Sequence, residues 1–262
     1  MTTVASLATS SLDVAGLPLS YLDGGSGSPL LVLHHDTGRM GADAFPELLA
    51  ADHRVVVPTL PGWDGTPRPE WMLSVRDMAV LQHLFLDQLG IDRIDIVGLG
   101  FGGWIAAEMA TMNQRRFSHL VLVNAAGIQP DEGEILDQFL YGHEAWVQAC
   151  YHDESRYEAH YEEGQLSVDE LVAIDENREM TARIAWKPYM YSQTLPMLLT
   201  EVQTPARLIW SEQGAVIPVS CARQYNAALP NSSLEILDDA GHFAEIEQPQ
   251  ALADSVRAFC SS

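Results

Sequence analysis

Val97-Gly98-Leu99-Gly100-Phe101-Gly102-Gly103-Trp104 contains four glycines among eight residues. It follows an apolar run at residues 94–97 and precedes a run of small and apolar residues at 105–110. Glycines two positions apart allow the backbone to turn sharply and allow a helix to pack closely against the strand before it. The stretch therefore predicts a strand, a tight turn and a helix.

Buried strands and helices alternate on both sides of this turn. Short apolar runs bounded by turn residues are typical of parallel strands that are covered on both faces. We predict such strands at residues 30–33, 55–57, 119–123, 206–210 and 234–237, after an N-terminal hairpin at 12–22. Helices are predicted at 45–51, 75–89, 218–228 and 249–259. This alternation implies an α/β fold with a right-handed, mostly parallel sheet.

The pattern changes between residues 128 and 197. Acidic helical segments without a buried strand carry interspersed aromatic residues: Tyr141, Trp146, Tyr151, Tyr157, Tyr161, Trp186, Tyr189 and Tyr191. We therefore predict that residues 128–197 form a helical cap, and that residues 1–127 and 198–262 form the α/β core.

The composition limits the classes of partner. Lys and Arg number 14 against 36 Asp and Glu, which gives a formal net charge of -22. Such a surface repels phosphate backbones and anionic lipid, so we expect a small-molecule partner and neither nucleic acid nor a membrane. Three widely spaced cysteines match neither a disulfide framework nor a zinc motif. No secretory or membrane-spanning segment is evident, so we expect a cytoplasmic protein. The oligomeric state is not predicted.

Five short motifs with turn residues or histidines follow one another along the chain. They are His34-His35-Asp36-Thr37-Gly38, Pro61-Gly62-Trp63, the glycine-rich turn at 98–102, the segment 210–218 and Gly241-His242-Phe243. Together these motifs resemble the α/β-hydrolase superfamily, in particular its capped C–C hydrolases, epoxide hydrolases and esterases. The resemblance implies an α/β-hydrolase fold, with a nucleophile at the turn, an acid after a later strand and a histidine near the C-terminus.

Two positions depart from that pattern. Gly100 stands where the superfamily has Ser, Asp or Cys, and a hydrogen atom cannot attack a carbonyl, so a covalent intermediate at this position is excluded. Gly214 stands at the position of the acid. Glu212, Asp239 or Asn124 are open alternatives for orienting the histidine. Gly100 itself is consistent with a relaxed turn, with an engineered removal of serine, or with a rebuilt pocket.

The resemblance identifies His242 as the candidate general base, although it is also consistent with a histidine that only packs or binds. The loop His34-His35-Asp36 replaces the His-Gly of the superfamily. If Asp36 points inward, its carboxylate opposes a nearby oxyanion but can assist His242 in activating water. The alternative is that Asp36 points to solvent. The backbone N–H groups of Phe101 and Asp36 are expected to line the site, with His34 and His35 beside them.

Cap residues complete the predicted site. Tyr189 and Lys187 are candidates for substrate binding, and Lys187 and Arg178 are candidates for orienting a substrate carboxylate, unless they form salt bridges within the cap. We predict no metal site and no cofactor, because the spacing of His34, His35, Asp36 and His242 matches no zinc signature and the glycines lack a dinucleotide-binding context. The remaining histidines are expected to be structural (His53, His83, His119) or on a solvated helix face (His143, His152, His160).

These observations predict an enzyme that uses histidine as a general base, in hydrolysis or lyase chemistry, on a small apolar or aromatic carbonyl compound. Cofactor-free oxygenation fits the same residues. A catalytically inactive, receptor-like homologue and an inactivated serine hydrolase are the alternatives.

Overall fold

One eight-stranded sheet organises the chain. The computed structural model describes residues 6–39, 43–160 and 167–261. The strand order is β1-β2-β4-β3-β5-β6-β7-β8, with antiparallel pairing of β1 to β2 and of β2 to β4 and parallel pairing elsewhere. The strands are β1 Ala8–Val14, β2 Leu17–Gly25, β3 Ser28–Leu33, β4 His53–Pro58, β5 Ile94–Leu99, β6 Phe117–Val123, β7 Ala206–Ser211 and β8 Ser232–Leu237. The predicted mostly parallel α/β sheet is therefore confirmed.

Helices cover both faces of the sheet. They are α1 Ala44–Leu49, α2 Val75–Gln88, α3 Phe101–Asn113, α4 His143–Cys150, α5 Glu154–His160, α6 Val168–Ala185, α7 Leu195–Leu199, α8 Val219–Ala228, α9 Ala244–Glu247 and α10 Pro249–Cys260. Alternate residues of β3 enter two separate cores: Leu31 and Leu33 pack in the core under α2 and α3, and Leu30 and Val32 pack in the core under α1 and α10. This two-sided burial explains why the parallel strands read as continuous apolar runs.

Close packing at the turn after β5 requires its glycines. Gly100 has φ 50° and ψ −110° and precedes the first residue of α3. A Cβ atom on Gly98 would lie 2.5 Å from the Cα of Gly103, and one on Gly102 would lie 2.5 Å from the carbonyl carbon of Leu33. Only hydrogen fits at such distances, so α3 begins directly against the ends of β3 and β5.

The chain between β6 and β7 forms a helical insertion, which we define as residues 128–197. Its described residues contain α4 to α7 and a short 3₁₀ helix at Gln138–Leu140, and a single isolated bridge joins Gly127 to Tyr191. α7 packs against the core helices α3 and α8. The helical character matches the expectation, while the division into a cap and a core remains a prediction. No described helix has the length and apolar character needed to cross a membrane.

Candidate active site

The imidazole of His35 fills the space above Gly100. A Cβ atom on Gly100 would overlap Nδ1 of His35, with Cε1 of that ring 2.8 Å away, and would lie 3.0 Å from Nε2 of His242. His35 follows β3 and His242 follows β8, so both come from the carboxyl edge of the sheet. The two rings pack edge to face with centroids 4.8 Å apart. Two imidazoles therefore converge where a nucleophilic side chain would stand.

A buried carboxylate faces the far side of His35. Oε1 of Glu245 lies 3.2 Å from Nε2 of His35, and both side chains are almost fully buried. Neither ring nitrogen of His35 makes a hydrogen bond to a described residue. The carboxylate is thus within ion-pair distance of Nε2 without a hydrogen bond, and Nδ1 borders the space above Gly100. Glu245 is thus a buried carboxylate in ion-pair contact with His35, without the hydrogen bond that the acid of a catalytic triad makes to its histidine.

None of the three residues considered as partners for His242 contacts its imidazole in the described structure. Asn124 instead donates from Nδ2 to the backbone carbonyl of His242 at 3.1 Å, and its Oδ1 accepts the N–H of Ser211 at 2.8 Å. Glu212 and Asp239 are exposed. Burial, followed by the charge on the neighbouring His35, lowers the pKa of His242 well below its ordinary value. His242 is therefore neutral at pH 7.

Asp36 points inward and is hydrogen-bonded to Gln138 rather than to His242. Its side chain is 1% exposed, which excludes the alternative that it faces solvent. Oδ2 accepts a hydrogen bond of 2.5 Å from Nε2 of Gln138, a residue of the helical insertion. Burial raises the pKa of Asp36, although His35 opposes the shift. The expected arrangement, in which Asp36 faces His242 across the space above Gly100, is absent from the described contacts because His35 fills that space.

His34 and Phe101 have defined positions near this site. Nδ1 of His34 contacts the carbonyl of His35 at 2.7 Å, and its Nε2 accepts the N–H of Leu60 at 3.0 Å. These contacts occupy both ring nitrogens, so His34 holds the loop rather than offering a free group to a substrate. Phe101 is the first residue of α3, where a backbone N–H has no acceptor within the helix, and its buried ring packs on Trp63. A role of its N–H toward an oxyanion remains a prediction.

Tyr189 supports the partner of Asp36. Its hydroxyl accepts the backbone N–H of Gln138 at 2.9 Å and donates to the carbonyl of Leu136 at 3.1 Å. Burial raises the pKa of this phenol, so it remains protonated. Tyr189 therefore fixes the segment from which Gln138 reaches Asp36.

The two cations considered for substrate binding lie in different places. Lys187 is exposed and lines a surface groove beside Trp104, away from the space above Gly100. Arg178 lines a cavity beside Asp36, and its Nη2 donates to the carbonyls of Gln138 at 2.7 Å and Tyr141 at 3.1 Å. Arg178 is thus the cation that lies beside Asp36.

His143 lines the same cavity as Arg178 and is partly buried, so its assignment to a solvated helix face is wrong. Burial, reinforced by Arg178, lowers the pKa of His143 to about 4. His152 is exposed, as predicted, and the side chain of His160 lies outside the described residues.

Histidines and carboxylates near Gly100 do not form a compact set of metal ligands among the described residues. Within the same part of the chain, the group whose ligand atoms all lie within 4.8 Å of one another is Asp95, His119 and Cys260. Asp95 and His119 lie near the amino ends of β5 and β6, opposite Gly100, and are joined by a hydrogen bond of 2.9 Å. The cluster is separate from the candidate active site.

Comparison with known proteins agrees with the fold and the order of the motifs. The profile of the alpha/beta hydrolase family matches residues 31–255.

The chain belongs to the alpha/beta hydrolase family.

Relatives extend over nearly the whole chain. A 2-hydroxy-6-oxononadienedioate/2-hydroxy-6-oxononatrienedioate hydrolase from Pseudomonas putida is 27% identical over 256 residues, 89% of this chain and 88% of the relative. The structure of a meta-cleavage product hydrolase from Pseudomonas fluorescens IP01 has a TM-score of 0.81 and 23% identity, and covers 96% of this chain and 97% of that one. A bacterial membrane phospholipase A has a TM-score of 0.81 and 22% identity, over 97% and 86% of the two chains. The chain is an enzyme of the alpha/beta hydrolase type, and the structural likenesses establish its fold rather than its reaction.

Sequence reasoning did not anticipate the contacts of Glu245 and Gln138, and it placed His35 beside the site without predicting that its ring fills the space above Gly100. One signal was present in the sequence: a large residue, His35, replaces the superfamily's glycine, while glycine replaces its nucleophile at Gly100. Opposite changes of size at two positions of one site indicate that one side chain has taken the space of the other. No comparable signal identified Glu245, which lies in α9, a four-residue helix that the periodicity did not predict.

Proposed function

We propose that this alpha/beta hydrolase hydrolyses a small carbonyl compound without a covalent enzyme intermediate, and that imidazole acts as the general base. The observation that supports the proposal is the convergence of His35 and His242 above Gly100, with Glu245 behind His35. This arrangement leaves no nucleophilic side chain at the turn but retains a base beside the position of a reacting carbonyl.

The proposed reaction uses these groups after the ring of His35 has moved aside to admit water above Gly100. Nδ1 of His35 takes a proton from water as the water oxygen adds to the carbonyl carbon. Glu245 stabilises the imidazolium that forms, and the N–H of Phe101 donates to the developing oxyanion. When the tetrahedral species collapses, the imidazolium returns its proton to the leaving group. His242, neutral because of its lowered pKa, is placed to accept or donate a hydrogen bond to the same water.

The relatives suggest the bond that is broken. The Pseudomonas putida relative is named as a hydrolase of an oxo-dienedioate, so a vinylogous ketone is one candidate substrate class. An activated ester or lactone presents the same electrophilic carbon. Lyase chemistry and cofactor-free oxygenation use the same base and remain within the proposal. In this proposal Asp36 contacts the substrate. It is not a partner of His242, because its carboxylate is hydrogen-bonded to Gln138.

A ligand-binding protein without chemistry is the second candidate. The occupation of the space above Gly100 by His35 supports it, because the ring must leave room for water before a reaction can occur. The same overlap argues against a serine hydrolase inactivated by one substitution, since a serine does not fit beside His35 in this position.

Kinetics of matched variants test the proposal. We expect hydrolysis of 4-nitrophenyl acetate or of a 2-hydroxy-6-oxo-dienoate, and a decrease of about 100-fold or more in kcat for His35→Ala and Glu245→Gln. Glu212→Gln, which removes the same negative charge at an exposed position, is the control.

Unchanged turnover in His35→Ala and His242→Ala contradicts the general-base proposal. Thermal stabilisation by these compounds without product supports the binding protein instead.

The three cysteines are unpaired, which is consistent with the reducing, cytoplasmic location that we include in the proposal.

A further inference from the structure

Three potential metal ligands meet at the amino edge of the sheet, opposite Gly100. Asp95 lies at the start of β5, His119 lies near the start of β6, and Cys260 is the last residue of α10. One ligand atom of each residue lies within 4.8 Å of the other two. The proposed reaction uses none of these side chains. Positions 95, 119 and 260 are also too far apart in the sequence for a short metal-binding motif to indicate them.

A bulge in β6 brings His119 to this cluster. Two residues of β6, Ser118 and His119, lie opposite one residue of β5, Asp95. Phe117 faces the core under α2 and α3, but the ring of His119, two positions later, packs on Phe259 of α10 with centroids 5.1 Å apart. In an unbroken strand these two positions would face the same side of the sheet. The bulge therefore directs the imidazole to the side that carries α10.

A buried carboxylate lies at the centre of the cluster. Asp95 is 5% exposed and shares its face of β5 with Val97 and Leu99, which pack in the core under α1 and α10. Its Oδ1 lies 2.9 Å from Nδ1 of His119. A buried carboxylate requires hydrogen-bonding or charged partners, and the imidazole supplies one hydrogen bond to a group with two oxygens. A cation at this place offsets more of the cost of burying the charge.

Cys260 differs from the other two cysteines in what its thiol faces. The thiols of Cys150 and Cys221 donate to backbone carbonyls, at 3.3 Å and 3.5 Å. The thiol of Cys260 instead lies within reach of the carboxylate of Asp95. Burial, followed by the charge of Asp95, raises the pKa of this thiol to about 12. A metal ion deprotonates a coordinating thiol, so it would replace this proton with a bond between sulfur and metal.

The three ligand types favour zinc over other common divalent cations. Thiolate and imidazole are typical ligands of Zn²⁺ and carboxylate oxygen is a further one, whereas Mg²⁺ and Ca²⁺ prefer oxygen alone. Ligand atoms around tetrahedral zinc are roughly 3.3–3.8 Å apart, so side-chain rotations suffice to close the cluster. His119 also lines a surface groove, through which an ion can enter and a water can reach the fourth position. The formal net charge of -22 favours the approach of a cation.

We propose that Asp95, His119 and Cys260 bind Zn²⁺, with water as the fourth ligand. The thiol of Cys260 gives its proton to solvent as the sulfur–zinc bond forms. The bound ion joins β5 and β6 to the last turn of α10, so it stabilises the packing of this helix on the sheet. It lies at the opposite edge from Gly100 and takes no part in the proposed reaction.

Cobalt(II) titration of the reduced whole protein tests the site, because Co²⁺ can replace zinc and a cobalt–thiolate bond absorbs in the near ultraviolet. We expect this absorption to saturate at one Co²⁺ per chain and to disappear when Zn²⁺ displaces the cobalt. Cys260→Ser is expected to abolish the absorption. His119→Gln and Asp95→Asn are expected to weaken Co²⁺ binding at least about 10-fold. Zn²⁺ should also raise the temperature of unfolding of the unaltered protein but not that of Cys260→Ser.

Cys221→Ser, His152→Gln and Asp238→Asn are the matched controls, because each removes the same functional group outside the cluster. Cys221 is buried, and the other two residues are exposed. We expect all three controls to bind Co²⁺ like the unaltered protein, and circular dichroism establishes that each variant is folded.

The absence of thiolate absorption in the unaltered protein overturns the inference, as does the same absorption in Cys260→Ser. Unchanged Co²⁺ affinity in either His119→Gln or Asp95→Asn also overturns it, because the site then lacks a ligand that we assign. The titration uses no substrate, so its outcome is independent of the general-base proposal.

Discussion

At the scale of single residues, the exchange between Gly100 and His35 defines the site. Gly100 keeps the backbone angles of a turn that presents a nucleophile, with φ 50°. The functional group above it is the imidazole of His35, which comes from the end of β3. The carboxylate in contact with that group is Glu245, three residues after His242. The acid that the resemblance placed at residue 214 is thus not simply lost, because a different carboxylate faces a different histidine.

Restoring serine at this turn is expected to fail unless His35 is also removed. In Gly100→Ser the new Cβ overlaps the ring of His35 and φ stays positive, so we expect a loss of about 1–3 kcal/mol in the free energy of unfolding and no labelling by a fluorophosphonate. In the double variant His35→Gly with Gly100→Ser, we expect recovered stability and weak labelling. Equal labelling of the single and double variants contradicts the placement of His35.

Asp36 is expected to lower stability at neutral pH. Burial raises its pKa in the folded state, so the folded protein binds the proton more tightly than the unfolded chain and loses stability as pH rises above the ordinary Asp value of about 4. Asp36→Asn should therefore be more stable to urea than the unaltered protein at pH 7.5, and the difference should shrink toward pH 4. A difference that does not depend on pH, or that matches Glu212→Gln, contradicts this expectation.

At the scale of elements, the short helix α9 joins the histidine loop to the helical insertion. Oε1 of Glu247 accepts the N–H groups of His152 at 3.0 Å and Asp153 at 2.9 Å, and Oε2 accepts that of Gly241 at 2.5 Å. The N–H of Phe243 donates to the backbone carbonyl of Cys150 at 3.2 Å, which adds a second connection. One buried carboxylate therefore sets the distance between the insertion and the loop of His242.

Glu247→Gln is expected to loosen this connection. The amide replaces one acceptor oxygen by a donor that faces N–H groups, so we expect a loss of about 1–3 kcal/mol in the free energy of unfolding. Hydrogen–deuterium exchange should accelerate at residues 150–153 and 241–243. Exposed Glu154→Gln, at the start of α5, is the control. Faster exchange spread evenly over the chain would show a general destabilisation instead of a local connection.

The sequence predicted elements better than contacts between them. The strands of the sheet were predictable because each is a buried apolar run, as in β3, whose alternate residues enter both cores. The α9 helix was not, because four residues are too short for a helical period to show. The pairs His35 with Glu245 and Asp36 with Gln138 join residues about 100 or more positions apart, and spacing along the chain carries no information about such contacts.

At the scale of the whole molecule, buried and partly buried histidines couple the fold to pH. Burial is the largest cause of a lowered pKa at His34, His83, His143 and His242. Each binds a proton less readily in the folded protein than in the unfolded chain, where the pKa is about 6.5. Stability from these groups is therefore fully present above pH 6.5 and is lost as pH falls below it.

Urea unfolding between pH 8 and pH 5 checks this dependence. We expect stability to fall below pH 6.5, with each buried histidine contributing up to about 1.4 kcal/mol per pH unit. His83→Gln, which retains a donor for the carbonyl of Met109, should reduce the slope without altering the site. The expectation is contradicted if the free energy of unfolding depends on pH equally in His83→Gln and the unaltered protein. It is also contradicted if stability is constant from pH 7 to pH 5.

The overlap between His35 and any side chain at Gly100 also has an evolutionary consequence. A lineage that carries this pair cannot regain a serine nucleophile through one tolerated mutation, because the first step introduces strain before the second makes room. Selection against that intermediate therefore disfavours a return to the serine nucleophile. Homologues in which the two positions change together, and rarely singly, are the record that this constraint should leave.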